Sequence, residues 1–174
     1  EAQDASITEY NSEFTIDRTY NAKRSESNSL FGRGWSFSYD EKLGKNADGS
    51  ISYSAGDGKV LCFKPDGNGG YTSPDNYNYI ITQEPYTQDE ETLIKYRITD
   101  SDGSFKVFNA WGLLESITDA YGKTTSVSYD DKYQINKITS AYDNSYVITH
   151  DGYGRISSIT LPNGAVTEYK YEFN

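Results

Sequence analysis

An all-β fold, built from consecutive antiparallel hairpins stacked into a curved repeat sheet, follows from three observations on this sequence. Strand-favouring Tyr, Thr, Val and Ile are abundant, turn-forming Gly, Asn and Asp recur between them, and one stretch repeats every 21 residues without a gap. No stretch has the 3.6-residue apolar spacing of an amphipathic helix. The chain has 174 residues, one domain's worth, and only 35% are hydrophobic, yet 17 are Tyr and 7 are Phe. Much of the buried area must therefore come from rings that carry a polar handle.

The repeat is read by aligning Leu114-Glu115-Ser116-Ile117-Thr118 with Ile135-Asn136-Lys137-Ile138-Thr139 and Ile156-Ser157-Ser158-Ile159-Thr160. Ile117, Ile138 and Ile159 share one slot, and Tyr129, His150 and Tyr171 share another. The same offset carries Thr125 to Tyr146 to Thr167, Val127 to Ile148 to Tyr169, and Asp130 to Asp151 to Glu172. Each repeat reads as two short strands joined by a turn, at Tyr121-Gly122, Tyr142-Asp143-Asn144 or Pro162-Asn163-Gly164. Gly122 and Gly164 supply turn conformations that side chains resist. In the returning strand Thr125, Val127 and Tyr129 alternate with Thr124, Ser126 and Ser128, giving one apolar and one polar face. Leu114 and Ile117 are three apart and would face opposite ways in a regular strand. Either Leu114 belongs to the turn or a bulge intervenes.

These patterns divide the chain into a divergent, β-rich pre-repeat region over 1–108 and three repeats over 109–174. Arg97 to Phe108 reads as a shortened repeat, and Gly49 to Tyr53 and Asp57 to Phe63 as hairpin-like. Asp66 to Gly70 and Ser73 to Asn76 are expected loops, and Gln88 to Glu91 a solvated loop or hairpin tip. The sequence opens Glu1-Ala2-Gln3 without a signal-like segment, and a strand pattern still runs from Tyr169 to Asn174. The chain is therefore expected to be a piece of a longer protein whose array continues.

The 16 basic and 26 acidic residues leave a net charge of -10, which repels phosphate backbones and anionic headgroups. Nucleic acid is not an expected partner, and membrane insertion is not expected: apolar runs such as Val60-Leu61-Cys62-Phe63 fall far short of the roughly 20 residues that span a bilayer. A single cysteine, Cys62, has no internal disulfide partner and reads as a small buried hydrophobe.

Residue chemistry marks no catalytic group and implies no cofactor. His150 is the one histidine, but it fills a slot held elsewhere by tyrosine, so a structural ring is the favoured reading. Pairing it with Cys62 as a nucleophile would need a groove and an orienting partner. Asp100-Ser101-Asp102-Gly103 alternates oxygen ligands that suit calcium, and equally suits an Asx-type turn, the reading favoured here. Carboxylates are plentiful, yet no glycosidase-like pair is singled out. Gly32-Arg33-Gly34-Trp35 places Trp35 either in the core behind a turn or against a sugar ring, and Trp111 is expected to seal the boundary of the repeats. Tyr71, Tyr77, Tyr79 and Tyr86, in a Pro/Asn-rich region, are the remaining candidates for carbohydrate contact.

Gly154-Arg155-Ile156-Ser157-Ser158-Ile159-Thr160 through Asn163-Gly164, followed by Tyr169-Lys170-Tyr171, resembles the YD repeat of Rhs, wall-associated and teneurin-type proteins, as does the Tyr129-Asp130 pair. His150-Asp151 and Tyr171-Glu172 each depart from that pair by one residue, and Gln134 stands where the repeat usually has Arg. Asp17-Arg18-Thr19-Tyr20-Asn21, Leu30-Phe31-Gly32-Arg33-Gly34-Trp35 and Asp48-Gly49-Ser50 resemble the region preceding the array in bacterial Rhs proteins. The resemblance implies a structural segment of a secreted or cell-surface protein, building a β-sheet shell around a downstream toxin or presenting an adhesion domain. The alternative it implies is a carbohydrate-binding module using exposed tyrosines. The implied partners are the rest of the same chain and its enclosed cargo, with self-association of a fragment through open sheet edges.

Overall fold

The computed structural model describes residues 2–10, 12–24 and 29–172; Glu1 and the Phe173-Asn174 end of the expected continuing strand lie outside the described residues. The strands are β1 (Ala2–Glu9), β2 (Ser12–Tyr20), β3 (Trp35–Phe37), β4 (Lys42–Lys45), β5 (Ile51–Ser54), β6 (Val60–Pro65), β7 (Tyr71–Thr72), β8 (Ile80–Gln88), β9 (Glu91–Thr99), β10 (Phe105–Phe108), β11 (Leu114–Thr118), β12 (Thr124–Tyr129), β13 (Ile135–Thr139), β14 (Ser145–His150), β15 (Ile156–Thr160) and β16 (Val166–Glu168). The molecule is all-β, its sheets are antiparallel and none closes on itself. Two compact units are present: one holds Glu1–Asp40, Gly56–Gly58 and Ser126–Asn174, the other Glu41–Ala55 and Lys59–Thr125.

In the first unit β1, β2 and β3 form one antiparallel sheet, and β12 to β16 pair in chain order. The hairpin turns along β12 to β16 begin at Asp130, Ser140, Asp151 and Leu161, with steps of 10, 11 and 10 residues. Each has the same hydrogen bonding. The first residue's N–H donates to the fifth residue's oxygen, at 2.8–2.9 Å, and the fourth residue's N–H donates back to the first residue's oxygen, at 2.9–3.2 Å. The fourth residue must adopt positive φ, which glycine does most cheaply: Gly154 and Gly164 sit there at 79° and 84°, and Tyr133 and Asp143 at 59° and 63°.

A bulge accounts for the three-residue spacing of the apolar pairs. Ser128 pairs with Lys137 but Tyr129 pairs with Ile135, and Thr149 pairs with Ser158 but His150 with Ile156, so Asn136 and Ser157 are the extra residues. In the second unit Val107 pairs with Ser116 and Phe108 with Leu114, leaving Glu115 as the extra residue. These three positions are 21 apart. Each bulge turns both apolar residues of a strand to one face. Ile135, Ile138, Ile156 and Ile159 are accordingly buried, with Val127, Tyr146 and Ile148 between them and Phe14, Ile16, Phe31 and Phe37 contributed by the N-terminal segment.

In the second unit β4 to β7 form a meander and β8 to β11 another. They are joined where the Leu43 N–H donates to the Gly112 oxygen at 2.8 Å. A Cβ at residue 112 would lie 2.0 Å from the Leu43 oxygen, so glycine is required there. Gln88 and Glu91 close β8 and β9 around a two-residue tip, Asp89-Glu90, with both φ positive. Counting the alternation back from that closing pair puts Pro85 opposite Ile94 in a non-hydrogen-bonded pair, so its missing N–H faces the open edge of β8. The proline blunts that edge. Cys62, expected to be buried, is exposed: Phe63 takes the inward position on β6 and alternation turns Cys62 outward.

Candidate functional site

The arrangement with most specific chemistry is the repeated hairpin of the first unit, and its repeated residues have assignable roles. Asp130 and Asp151, the aspartates of the Tyr-Asp and His-Asp pairs, open their turns. Asp130 Oδ1 accepts the N–H groups of Lys132 and Gln134 at 2.9 and 2.8 Å, and Asp151 Oδ1 accepts those of Tyr153 and Arg155, both at 2.9 Å. Two backbone donors that the turn leaves unpaired are thereby satisfied. Arg155 then closes on Asp151 as a fork, Nε at 2.8 Å and a terminal nitrogen at 2.7 Å from Oδ2, while its guanidinium lies 4.2 Å from the centre of the Tyr171 ring. The Tyr171 hydroxyl donates to the Ile156 oxygen at 2.7 Å. Gln134, in the place of Arg155, has no guanidinium with which to form that fork.

The shared slots are not equivalent in environment. Ile138 and Ile159 are fully buried and Ile117 half-buried; Tyr129, His150 and Tyr171 are all half-buried. His150 Nε2 is buried and makes no hydrogen bond among the described residues. Burial pushes the imidazole below its ordinary value, against the opposing pull of Asp130 and Asp151. Gly122 and Gly164 hold the fourth turn position at 82° and 84°.

The N-terminal segment supplies a second set of contacts within the same unit. Tyr146, in a slot that is Thr in the flanking repeats, is fully buried, with its ring 4.5 Å from Phe14. Glu9 is buried and its Oε1 accepts the Ser140 hydroxyl and the Asn144 amide, each at 2.6 Å. Arg18 pairs with Asp4 at 2.9 Å, and its guanidinium lies 4.5 Å from the Trp35 ring and 5.6 Å from Tyr169. Trp35 is thus half-buried beneath a guanidinium. None of these contacts could be read from sequence, since the partners lie far apart in the chain and follow no repeat.

In the second unit Lys106 Nζ lies 2.7 and 2.8 Å from the two oxygens of buried Glu41 and 2.8 Å from the Tyr53 hydroxyl, which itself donates to Glu41 at 2.6 Å. All three charged or polar ends satisfy one another, as burial demands. Tyr71, Tyr77, Tyr79 and Tyr86 are half-buried. Tyr77 and Tyr79 stack on each other at 5.5 Å, and Tyr86 lies 5.0 Å from the Lys95 ammonium. Trp111, expected to seal a boundary, is 57% exposed because it occupies a hairpin tip; it lines a shallow depression with Leu43, Ile51 and Tyr96. Asp100 and Asp102 spend one oxygen each on turn N–H groups, those of Ser101 and Ser104, at 2.6 and 2.8 Å. Among the described residues no three His, Cys, Asp or Glu side chains converge as a metal site would require.

A sheet that advances by one regular hairpin at a time, with aspartate-capped turns and one apolar face, defines a β-repeat wall protein. Residues 85–174 match the teneurin YD-shell family and residues 1–63 match a domain of unknown function, DUF6531. The chain belongs to the teneurin YD-shell family, whose fold is a structural shell. Proteins of that family are typically extracellular or surface-associated. No curated protein matches the chain.

Proposed function

We propose that this chain is a wall segment of a secreted or cell-surface Rhs-type protein, whose shell encloses or presents a downstream toxin or adhesion domain. The observation that supports this reading is the uniform turn and bulge geometry, which lets hairpins be added without changing which face is apolar. The work is done by hydrogen-bonded sheet and ring packing, with no chemistry asked of any residue. On this reading the partners are the rest of the same chain, which pairs along the open edge of β16, and the enclosed cargo. Limited proteolysis of the full-length parent protein tests it. The region downstream of the repeats should survive in the intact protein and be cut once the shell is unfolded; equal cleavage rates in both states would sink the proposal.

A further inference from the structure

Tyr10 and Tyr142 meet ring to ring, with centroids 4.7 Å apart, at the tips of two different hairpins of the first unit. Tyr10 turns the chain between β1 and β2 at a φ of 52° and is 81% exposed; Tyr142 stands third in the turn that starts at Ser140. The encounter is held in place from beneath. Buried Glu9, next to Tyr10, accepts hydrogen bonds from Ser140 and Asn144, the first and last residues of the turn that carries Tyr142. The exposed ring of Tyr10 and the half-buried ring of Tyr142 are therefore kept in contact by a buried polar clip.

We propose that Tyr10 and Tyr142 are a site of oxidative cross-linking, joined as dityrosine when a haem peroxidase and hydrogen peroxide act on the protein. Each phenol gives up one electron and one proton. The two phenoxyl radicals couple at ring carbons ortho to oxygen, and the displaced ring hydrogens move to the oxygens as aromaticity returns. One carbon–carbon bond forms, two hydrogens leave, and one hydrogen peroxide is reduced to two waters. The product staples the segment matching DUF6531 to the repeats. A second tyrosine pair, Tyr77 and Tyr79, stacks within one chain segment, where a link would join no distant parts of the chain, so it serves as an internal comparison.

The test is to treat the whole 174-residue chain, at a concentration low enough to suppress intermolecular coupling, with peroxidase and limiting peroxide. Dityrosine fluorescence and peptide mass spectrometry provide the readout. A cross-linked pair of peptides containing Tyr10 and Tyr142, two hydrogens lighter than their sum, is expected. It should vanish in Tyr10→Phe, persist in Tyr77→Phe, and fall in Glu9→Gln, where the clip is weakened and both phenols remain. Fluorescence unchanged in Tyr10→Phe, cross-links dominated by other tyrosines, or no cross-link at all would each overturn the proposal. Circular dichroism of Tyr10→Phe, which keeps its ring, separates loss of the phenol from loss of the fold.

Discussion

The Tyr146 hydroxyl donates to the backbone oxygen of Phe14 at 2.7 Å while the two rings touch, so one side chain both fills the core and latches β2 to β14. Tyr146→Phe keeps the ring and removes one buried hydrogen bond, while the Phe14 carbonyl stays in the β1–β2 ladder opposite Ile7, a loss of about 0.5–1.5 kcal/mol. Tyr146→Ala removes the ring as well and should cost about 3–5 kcal/mol, the usual range for emptying an aromatic core site. Urea denaturation of the two variants measures both. The pH dependence provides a separate check. Burial, reinforced by the negative charges of Glu9 and Asp17, pushes the Tyr146 hydroxyl from 10.0 up to about 12. Because the folded value is raised, its contribution to stability is fully present below pH 10.0 and is lost as pH rises through about 12. Tyr146→Phe should flatten that part of the alkaline unfolding curve.

Fold class was legible in the sequence because turn and bulge chemistry is local. Asp130, Asp151 and the positive-φ glycines act within five residues, and their spacing shows directly in the chain. The puzzle of Leu114 and Ile117 was also visible, and the extra residue Glu115 answers it. Contacts between distant segments were not legible. Glu9 with Ser140, Tyr146 with Phe14, and Glu41 with Lys106 join residues 131, 132 and 65 positions apart, and no pattern in either partner announces the other. The outward turn of Cys62 was missed because a four-residue apolar run hides which residues alternate inward.

The fork of Arg155 on Asp151 predicts a graded response. Burial by itself would raise the Asp151 carboxyl, but the Arg155 backbone N–H, then its guanidinium, and the Tyr153 N–H hold it below 3.8. A depressed folded value means that this stability is present above pH 3.8 and is lost as pH falls through the folded value. Arg155→Gln, which copies the residue at Gln134, should lose about 1–2 kcal/mol, since one charged pair that is only partly shielded disappears with its stacking on Tyr171. Asp151→Ala should lose more, because two backbone N–H groups are released too. Equal losses in thermal or chemical unfolding would argue against the capping role.

Lys106 and Glu41 should show strong coupling. The Glu41 side chain is only 5% exposed, so Lys106→Met leaves a buried carboxylate facing Tyr53 alone, at a cost of about 3–5 kcal/mol. Adding Glu41→Gln removes the uncompensated charge and should recover much of that loss. A double-mutant cycle reads the difference, and simple additivity of the two changes would contradict the arrangement.

Asp143 holds a left-handed conformation at 63°, in the turn position that Gly122, Gly154 and Gly164 occupy elsewhere. Asp143→Gly relieves the Cβ strain of that conformation, roughly 1–2 kcal/mol, and gives back part of it through the greater freedom of glycine in the unfolded chain. A net gain of about 0.5–1 kcal/mol is expected. The same change at Asp131, which precedes the left-handed position of its turn, should bring no such gain, so comparing their melting temperatures isolates the effect of φ.

His150 offers the sharpest contrast between a repeat slot and its occupant. Tyrosine stands there in the neighbouring repeats, whereas the imidazole of His150 buries Nε2 without a partner among the described residues. Protonation would place a cation in that half-buried site, and burial outweighs the attraction of Asp130 and Asp151, so the folded value lies below 6.5. For a base with a lowered folded value, the neutral form is favoured by folding. The associated stability is present above pH 6.5 and is lost as pH falls through the folded value, because the unfolded chain takes up the proton first. His150→Tyr has no such proton to take up. Its stability should therefore stay level over the window in which the wild type weakens, and a variant that weakens with the same slope would show that another group titrates there.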